Sequence, residues 1–308
     1  MPKTAFLFPG QGSQFAGMGK TLAETYSAAR AVFEEADRAL EFPISRLCFE
    51  GPEDQLKLTE NTQPALLTVS TAATAVLAEK GIVPDFVAGH SLGEYSALVA
   101  AGGLRFADAL RLVRKRGRYM QDAVPPGVGA MAALLKMPEE KLPGVLAEAA
   151  QGEVVTAANL NSPDQVVIAG NTAAVNRAVE LAKAAGAKRA ILLPVSAPFH
   201  CPLMKPAQAR LSVDLDAADF HPLHCPLVSN YSAQPVTEGV DARRSLFEQV
   251  PNPVLWAQSM RWLAAQGVER YLEVGPGAVL SGLLRNIDPA LKTSKCGEAV
   301  DIEALCTS

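Results

Sequence analysis

A serine between two glycines, Gly89-His90-Ser91-Leu92-Gly93, follows the apolar run Phe86-Val87-Ala88 and precedes a stretch from Glu94 to Ala101 that reads as a helix. Strand, sharp turn and helix are the setting of a nucleophile elbow, where the turn pushes a serine hydroxyl out to meet a substrate. Glycines flank such a serine because the backbone is strained and crowded there. The pattern alone arises by chance roughly 0.1 times in a chain of this length, so the partners of the serine must decide its chemistry.

A serine nucleophile needs a base, and the chain has 4 histidines, at 90, 200, 221 and 224. His90 adjoins Ser91 and is expected to project away from it across the turn. His221 and His224 lie between a helix and a strand; with Cys225 they hint at a metal, but no second cluster completes a zinc set, so they read as surface-loop residues. His200 lies in a loop bracketed by Pro198 and Pro202, stiff enough to position a side chain. It reads equally as a histidine satisfied within its loop.

Arg116 is the candidate cation. On a helical wheel at ~100° per residue, Phe106, Ala109, Leu110, Val113, Gly117 and Met120 share one face of residues 106–120, and Arg111, Arg114, Lys115 and Arg118 the other. Arg116 falls at the edge of the apolar face. A buried arginine needs an anion: either an internal Asp or Glu, or a substrate carboxylate gripped by the guanidinium fork. Gln11 sits in the glycine-rich turn Gly10-Gln11-Gly12-Ser13-Gln14, at the strand edge where open α/β sheets bind ligands. Its N–H could serve beside that of Leu92 as an oxyanion donor, or the segment is a plain turn. No Lys-Ser/Thr follows it, so it is no phosphate-binding loop; Gly275-Pro276-Gly277 also reads as a turn.

The elements that would position these groups alternate. Strands are predicted over 4–8 and 83–88, helices over 21–40, 64–79 and 106–120. Residues 128–195 then give strand, helix, strand, turn at 161–164, strand, helix, strand, the β-α-β-β-α-β order of a ferredoxin-like unit. After a loop over 196–202 come a helix over 203–217, a strand over 226–231, helices near 241–250 and 253–266, a strand over 269–274 and a last helix ending at 287. The expectation is an α/β protein with a mostly parallel sheet covered on both faces. It has a large discontinuous domain (1–127 and 196–308) and a small inserted one (128–195). Residues past about 292 lack periodicity and read as a loose tail.

The 308 residues are 49% hydrophobic and 19% charged, with a net charge of −4, which provides a sizeable core and no basic footprint for nucleic acid. No run is long and apolar enough for a membrane span, and the first nine residues make too short a run for a signal peptide. The 5 scattered cysteines read as reduced thiols of a cytoplasmic protein. Nothing demands a dimer, so a monomer is expected.

Taken together, these residues resemble the malonyl-CoA:acyl-carrier-protein transacylases over nearly the whole chain, to about residue 287. The resemblance is carried by Phe8-Pro9-Gly10-Gln11-Gly12-Ser13-Gln14, Gly89-His90-Ser91-Leu92-Gly93-Glu94-Tyr95, Arg116-Gly117, the stretch 159–170, Pro198-Phe199-His200, Asn252-Pro253-Val254 and Glu273-Val274-Gly275-Pro276-Gly277. It implies a serine-hydrolase-like core with a ferredoxin-like subdomain, and an active site in the cleft between them. It implies Ser91 as nucleophile and His200 as base, oriented by the backbone carbonyl of Gln249 in place of a third acid. It further implies Gln11 and Leu92 amides as oxyanion hole, Arg116 as anchor of the malonyl carboxylate, and Phe199, Asn159 and Met120 as pocket residues, Phe199 being of the malonyl rather than the methylmalonyl type. The implied partners are a coenzyme A thioester and an acyl-carrier protein, with no resident cofactor or metal and no nucleic acid or membrane. Lys183, Lys188 and Arg189 are candidates for carrier docking.

The implied pathway is fatty acid biosynthesis, with a free-standing polyketide acyltransferase as the alternative. Two rivals stand further off: a non-enzymatic carrier-binding module with an inert serine, and an α/β-hydrolase esterase or thioesterase, which shares the elbow but usually has an acid between serine and histidine in sequence. Asp164 and Glu180 lie there, both within the inserted unit.

Overall fold

The computed structural model describes residues 2–195 and 197–307. The chain runs β1 (Lys3–Phe8), α1 (Lys20–Thr25), α2 (Ser27–Leu40), α3 (Ile44–Glu50), α4 (Glu53–Leu56), α5 (Thr59–Glu79), β2 (Phe86–Gly89), α6 (Gly93–Ala100) and α7 (Phe106–Asp122). It continues with β3 (Gly129–Leu135), α8 (Leu142–Ala150), β4 (Val155–Ser162), β5 (Gln165–Asn171), α9 (Thr172–Ala185) and β6 (Arg189–Leu192). Last come α10 (Lys205–Ala217), β7 (Leu227–Val228), β8 (Pro235–Val236), α11 (Gly239–Gln249), α12 (Trp256–Ala265), β9 (Val268–Glu273), α13 (Val279–Ile287), β10 (Thr293–Lys295) and α14 (Ala299–Thr307).

Two sheets result. The larger has strand order β10-β9-β1-β2-β7-β8 and is parallel from β10 to β7. Only β8 pairs antiparallel, closing a short hairpin at the edge. Alternation along β1 divides its side chains between two cores. Phe6 and Phe8 pack with α2, α5 and α7, while Ala5 and Leu7 pack with α12 and α13. Both faces of the sheet are therefore covered, as a parallel sheet requires.

The smaller sheet has order β4-β5-β3-β6 and is antiparallel throughout. Along β3, Ala132 and Leu134 face α8 and α9, whereas Met131 and Ala133 face Cys201 and Phe199 on the opposite side. The two sheets are tied where Leu160 N–H donates to the Val254 carbonyl and Val254 N–H to the Ala158 carbonyl, both at 2.9 Å. That tie fixes β4 beside the chain that leads into α12.

Several elements differ from their sequence-predicted extents. The helix predicted over 21–40 is two helices, because Tyr26 is extended (φ −118°, ψ 127°) and the Arg30 guanidinium donates to the last carbonyls of α1, at Ala23 and Glu24. Helix α5 begins at Thr59 rather than 64, so Pro64 lies in its second turn. Asn161 and Ser162, predicted as turn, complete β4, and the strand predicted over 226–231 shortens to β7. The predicted loop over 196–202 starts at Ser196, outside the described residues.

The loose tail expected past 292 is an error of the sequence reading. Strand β10 extends the larger sheet in parallel beside β9, Cys296 N–H donates to the Glu273 carbonyl at 2.8 Å, and α14 packs back with Ile302 fully buried. The three-residue strand is too short to show a period and the helix buries only Ala299 and Ile302, yet each finds a partner already in place. Among the described residues no helix is long and apolar enough to cross a membrane.

Candidate active site

The elbow is built by close approach of backbones. A Cβ on Gly89 would lie 1.9 Å from the Gly93 carbonyl, and a Cβ on Gly93 2.0 Å from the Phe8 oxygen. Glycine alone lets β2 turn into α6 this tightly against β1. The strain falls on Ser91 itself, held at φ 53° in the left-handed region. Its N–H donates to Asn230 Oδ1 at 2.7 Å, which fixes the turn from the end of β7.

Of the four histidines it is His200 that meets the serine: Nε2 lies 2.7 Å from Ser91 Oγ. Its Nδ1 lies 2.9 Å from the Gln249 backbone carbonyl, an acceptor only, so Nδ1 carries the proton and donates. Nε2 is then the bare nitrogen and accepts from the Ser91 hydroxyl. Burial, with the nearby Arg116 charge second, pushes the His200 pKa down to about 3, which keeps the ring neutral and able to accept a proton. Like Ser91 it has a left-handed backbone, at φ 58°.

The other histidines point elsewhere. His90 Nε2 pairs with Asn161 Oδ1 at 2.8 Å, and its ring stands 5.5 Å from that of Trp256. His221 reaches Asp219 at 3.5 Å, and His224 packs against Gly102. Among the described residues no group of three His, Cys, Asp or Glu is arranged to hold a metal. Asp164 and Glu180 pair with Lys136 and Lys183, so neither stands behind His200.

Arg116 is 1% exposed and none of the ion pairs among the described residues includes it. Neutral amides hold it instead. Nη1 donates to Gln63 Oε1 and Nη2 to Gln249 Oε1, each at 2.8 Å, while Nη2 also reaches Ser91 Oγ at 3.2 Å. Its Nε makes no hydrogen bond among the described residues. Of the two sequence readings, the internal ion pair does not form and the guanidinium faces the serine without a carboxylate.

Ser91, His200 and Arg116 open on one cavity of about 120 Å³, whose wall also includes Gln11, Leu92, Met120, Asn159 and Phe199. Of the residues that the resemblance assigned to the site, all except Gln249 line it. Gln249 lies behind, fully buried, touching His200 through its carbonyl. Neither the Gln11 nor the Leu92 N–H makes a hydrogen bond among the described residues, so both remain available to an oxygen in the cavity.

Sequence reasoning missed the layer beneath. Gln63, Asn230 and Asn161 hold Arg116, Ser91 and His90. The Gln249 side chain, not only its carbonyl, belongs to the site. Glu94 is fully buried and accepts from Ser245 Oγ (2.8 Å), Gln249 Nε2 (2.6 Å) and the Asn230 N–H (3.3 Å). Burial raises its pKa to about 7, and those donors and the Arg116 charge hold it from rising further. No local signal marked them: Gln63 follows Asn61 and Thr62, and Asn230 stands between Ser229 and Tyr231, so neither stands out as a polar residue in an apolar run.

A serine elbow, a neutral histidine and two free backbone amides around one cavity are suited to acyl transfer. Residues 5–299 match the family described as acyl transferase domain, and the chain belongs to that family. It is 53% identical over 304 residues to the malonyl CoA-acyl carrier protein transacylase of Bacillus subtilis strain 168, spanning 98% of this chain and 96% of the relative. Among solved structures, an acyl carrier protein S-malonyltransferase from Vibrio cholerae superposes with a TM-score of 0.96 at 45% identity, covering 98% of this chain and 99% of that one. A malonyl-transacylase solved in complex with its type II PKS acyl-carrier protein gives 0.96 at 43% identity, with 99% of each chain covered.

Proposed function

We propose that this chain transfers the malonyl group from malonyl-CoA to the phosphopantetheine thiol of an acyl-carrier protein, in fatty acid biosynthesis. One observation carries the reading: Ser91 Oγ stands within hydrogen-bond reach of both His200 Nε2 (2.7 Å) and the carboxylate-free Arg116 fork (3.2 Å). A base and a cation converge on one hydroxyl, which suits a thioester that ends in a carboxylate. The named relatives support the same acyl group and acceptor.

The reaction proceeds in two half-steps. His200 Nε2 takes the hydroxyl proton as Ser91 Oγ attacks the thioester carbonyl. The oxyanion settles on the Gln11 and Leu92 N–H groups, where one such donor is typically worth ~3 kcal/mol. The carbon–sulfur bond breaks, and the departing coenzyme A sulfur takes the proton from His200. The carrier's thiol then gives its proton to His200, attacks the seryl ester, and returns Ser91 to its hydroxyl form. The Gln249 carbonyl keeps the proton of His200 on Nδ1, and Arg116 grips the malonyl carboxylate. Met120, Asn159 and Phe199 shape the pocket around the acyl group.

In this reading residues 1–127 and 196–308 form the hydrolase-like domain and 128–195 a ferredoxin-like unit roofing the cleft. The order β4-β5-β3-β6 supports that assignment. The protein works in the cytoplasm, in keeping with five free thiols. A polyketide carrier is the second reading, favoured by the structural neighbour bound to one. Transfer from malonyl-CoA to holo carrier proteins of the two types, with apo carrier as control, tests both. Faster loss of the malonyl group to water than to either holo carrier would favour a thioesterase instead.

A further inference from the structure

The His200 base is backed by a neutral carbonyl, and the buried acid of the site sits elsewhere. Glu94 lies three residues after Ser91 in the elbow helix α6; among the described residues it makes no ion pair, and its side chain touches none of the reacting groups. A fully buried carboxylate needs its oxygens satisfied. Donors from α11 and from the end of β7 supply this: Ser245 Oγ, Gln249 Nε2 and the Asn230 N–H.

The contact with Gln249 is the informative one. An ionised carboxylate only accepts hydrogen bonds and a guanidinium only donates them. Glu94 and Arg116 meet opposite ends of the same amide: Nε2 points to Glu94 at 2.6 Å, and Oε1 accepts from Arg116 at 2.8 Å. A flipped amide would set donor against donor on one side and acceptor against acceptor on the other. Glu94 thereby fixes the amide in the one orientation that holds the guanidinium. The Gln249 amide also donates to the Ser91 carbonyl at 2.9 Å, and its own backbone carbonyl receives His200 Nδ1. One carboxylate thus anchors the residue that touches the cation, the base and the nucleophile's backbone. Set one residue back, it offsets the Arg116 charge without occupying the fork.

We propose that Glu94 is a positioning residue of the acyl-transfer site, acting through Gln249 on Arg116 and His200 together; the proposal rests on the functional reading above. The test measures Ser91 acylation by malonyl-CoA and by acetyl-CoA in wild type, Glu94→Ala, Glu94→Gln, Gln249→Ala and the Glu94→Ala/Gln249→Ala double variant, each checked for folding by circular dichroism. Glu94→Ala should slow both substrates, by roughly 100-fold for a misplaced base, and should also erode the preference for malonyl. Glu94→Gln, which still offers an oxygen to Gln249 and can donate to Ser245, should restore most of both. The double variant should be no slower than the slower single one, because the two residues act through each other.

A folded Glu94→Ala with unchanged rate and preference overturns the proposal. So does a Glu94→Gln no better than the alanine variant, or a double variant whose losses simply add. If Glu94→Ala does not fold, Gln249→Ala alone decides: it keeps the carbonyl, and an unchanged rate and preference would overturn the proposal equally. Failure of wild type to take an acyl group from malonyl-CoA would instead sink the functional reading, so the two failures are distinguishable.

Discussion

Arg116 Nη2 lies 3.2 Å from Ser91 Oγ, so the buried cation touches the proposed nucleophile rather than an acid. A substrate with a carboxylate beyond its thioester carbonyl can exchange with the serine for that donor. A hydrogen bond to a charged group contributes ~1.5–3 kcal/mol, or roughly 10–150-fold in a rate. Replacing Arg116 by alanine should therefore lower malonyl acylation by about that factor more than acetyl acylation. Equal losses, measured as kcat/KM with the two coenzyme A thioesters, would remove Arg116 from its assigned role.

His200 donates from Nδ1 to a carbonyl rather than a carboxylate, and it is buried beside a cation. Its pKa of about 3 lies below the ordinary histidine value. The acid limb of the kcat/KM profile should therefore fall well below the usual ~6.5. In Arg116→Ala the loss of the neighbouring charge should raise that limb toward the ordinary value. A wild-type limb at the ordinary histidine position would contradict the buried neutral ring.

The same shift fixes a stability trend. The folded pKa lies below the unfolded one, so the folded state binds fewer protons between the two. The contribution is full above about 6.5 and is lost as pH falls from there toward the folded value. His200→Ala should show a smaller drop in melting temperature than wild type over that range. Parallel drops would mean that another group governs acid sensitivity.

Gly93→Ala should be poorly tolerated, because its new Cβ would sit 2.0 Å from the backbone oxygen of Phe8, which has no freedom to yield. Overpacking typically costs ~1–3 kcal/mol, occasionally more. Gly12→Ala is the control: among the described residues nothing lies within 4 Å of the added carbon, although its φ of 104° carries some strain. Chemical denaturation of the two variants should separate them clearly.

Ile302→Ala reports on the C-terminal helix. Ile302 is fully buried in the main core, so its truncation should cost ~2–5 kcal/mol, the range for such side chains. A neutral effect would show α14 to be detached in solution.

What the sequence made legible was local. The elbow is five consecutive residues, and Arg116 stands out on a single helix because its neighbours define two faces. The β-α-β-β-α-β order of 128–195 could be read because each element spans a full period. The layer behind the cavity could not: Glu94, Asn230 and Gln249 come from α6, the end of β7 and α11, and meet only when the sheet brings those ends together. Strand β10 has three residues, too few to alternate visibly, and the sheet supplies what its own pattern lacks.

Ser91 is proposed to carry the malonyl group between two thiols. Intact mass of wild type and Ser91→Ala after mixing with malonyl-CoA, then with holo acyl-carrier protein, tests it most directly. One malonyl adduct is expected on wild type and none on Ser91→Ala, with transfer of the adduct to the carrier. A wild type that stays unmodified, or a Ser91→Ala variant that is malonylated equally, would contradict it.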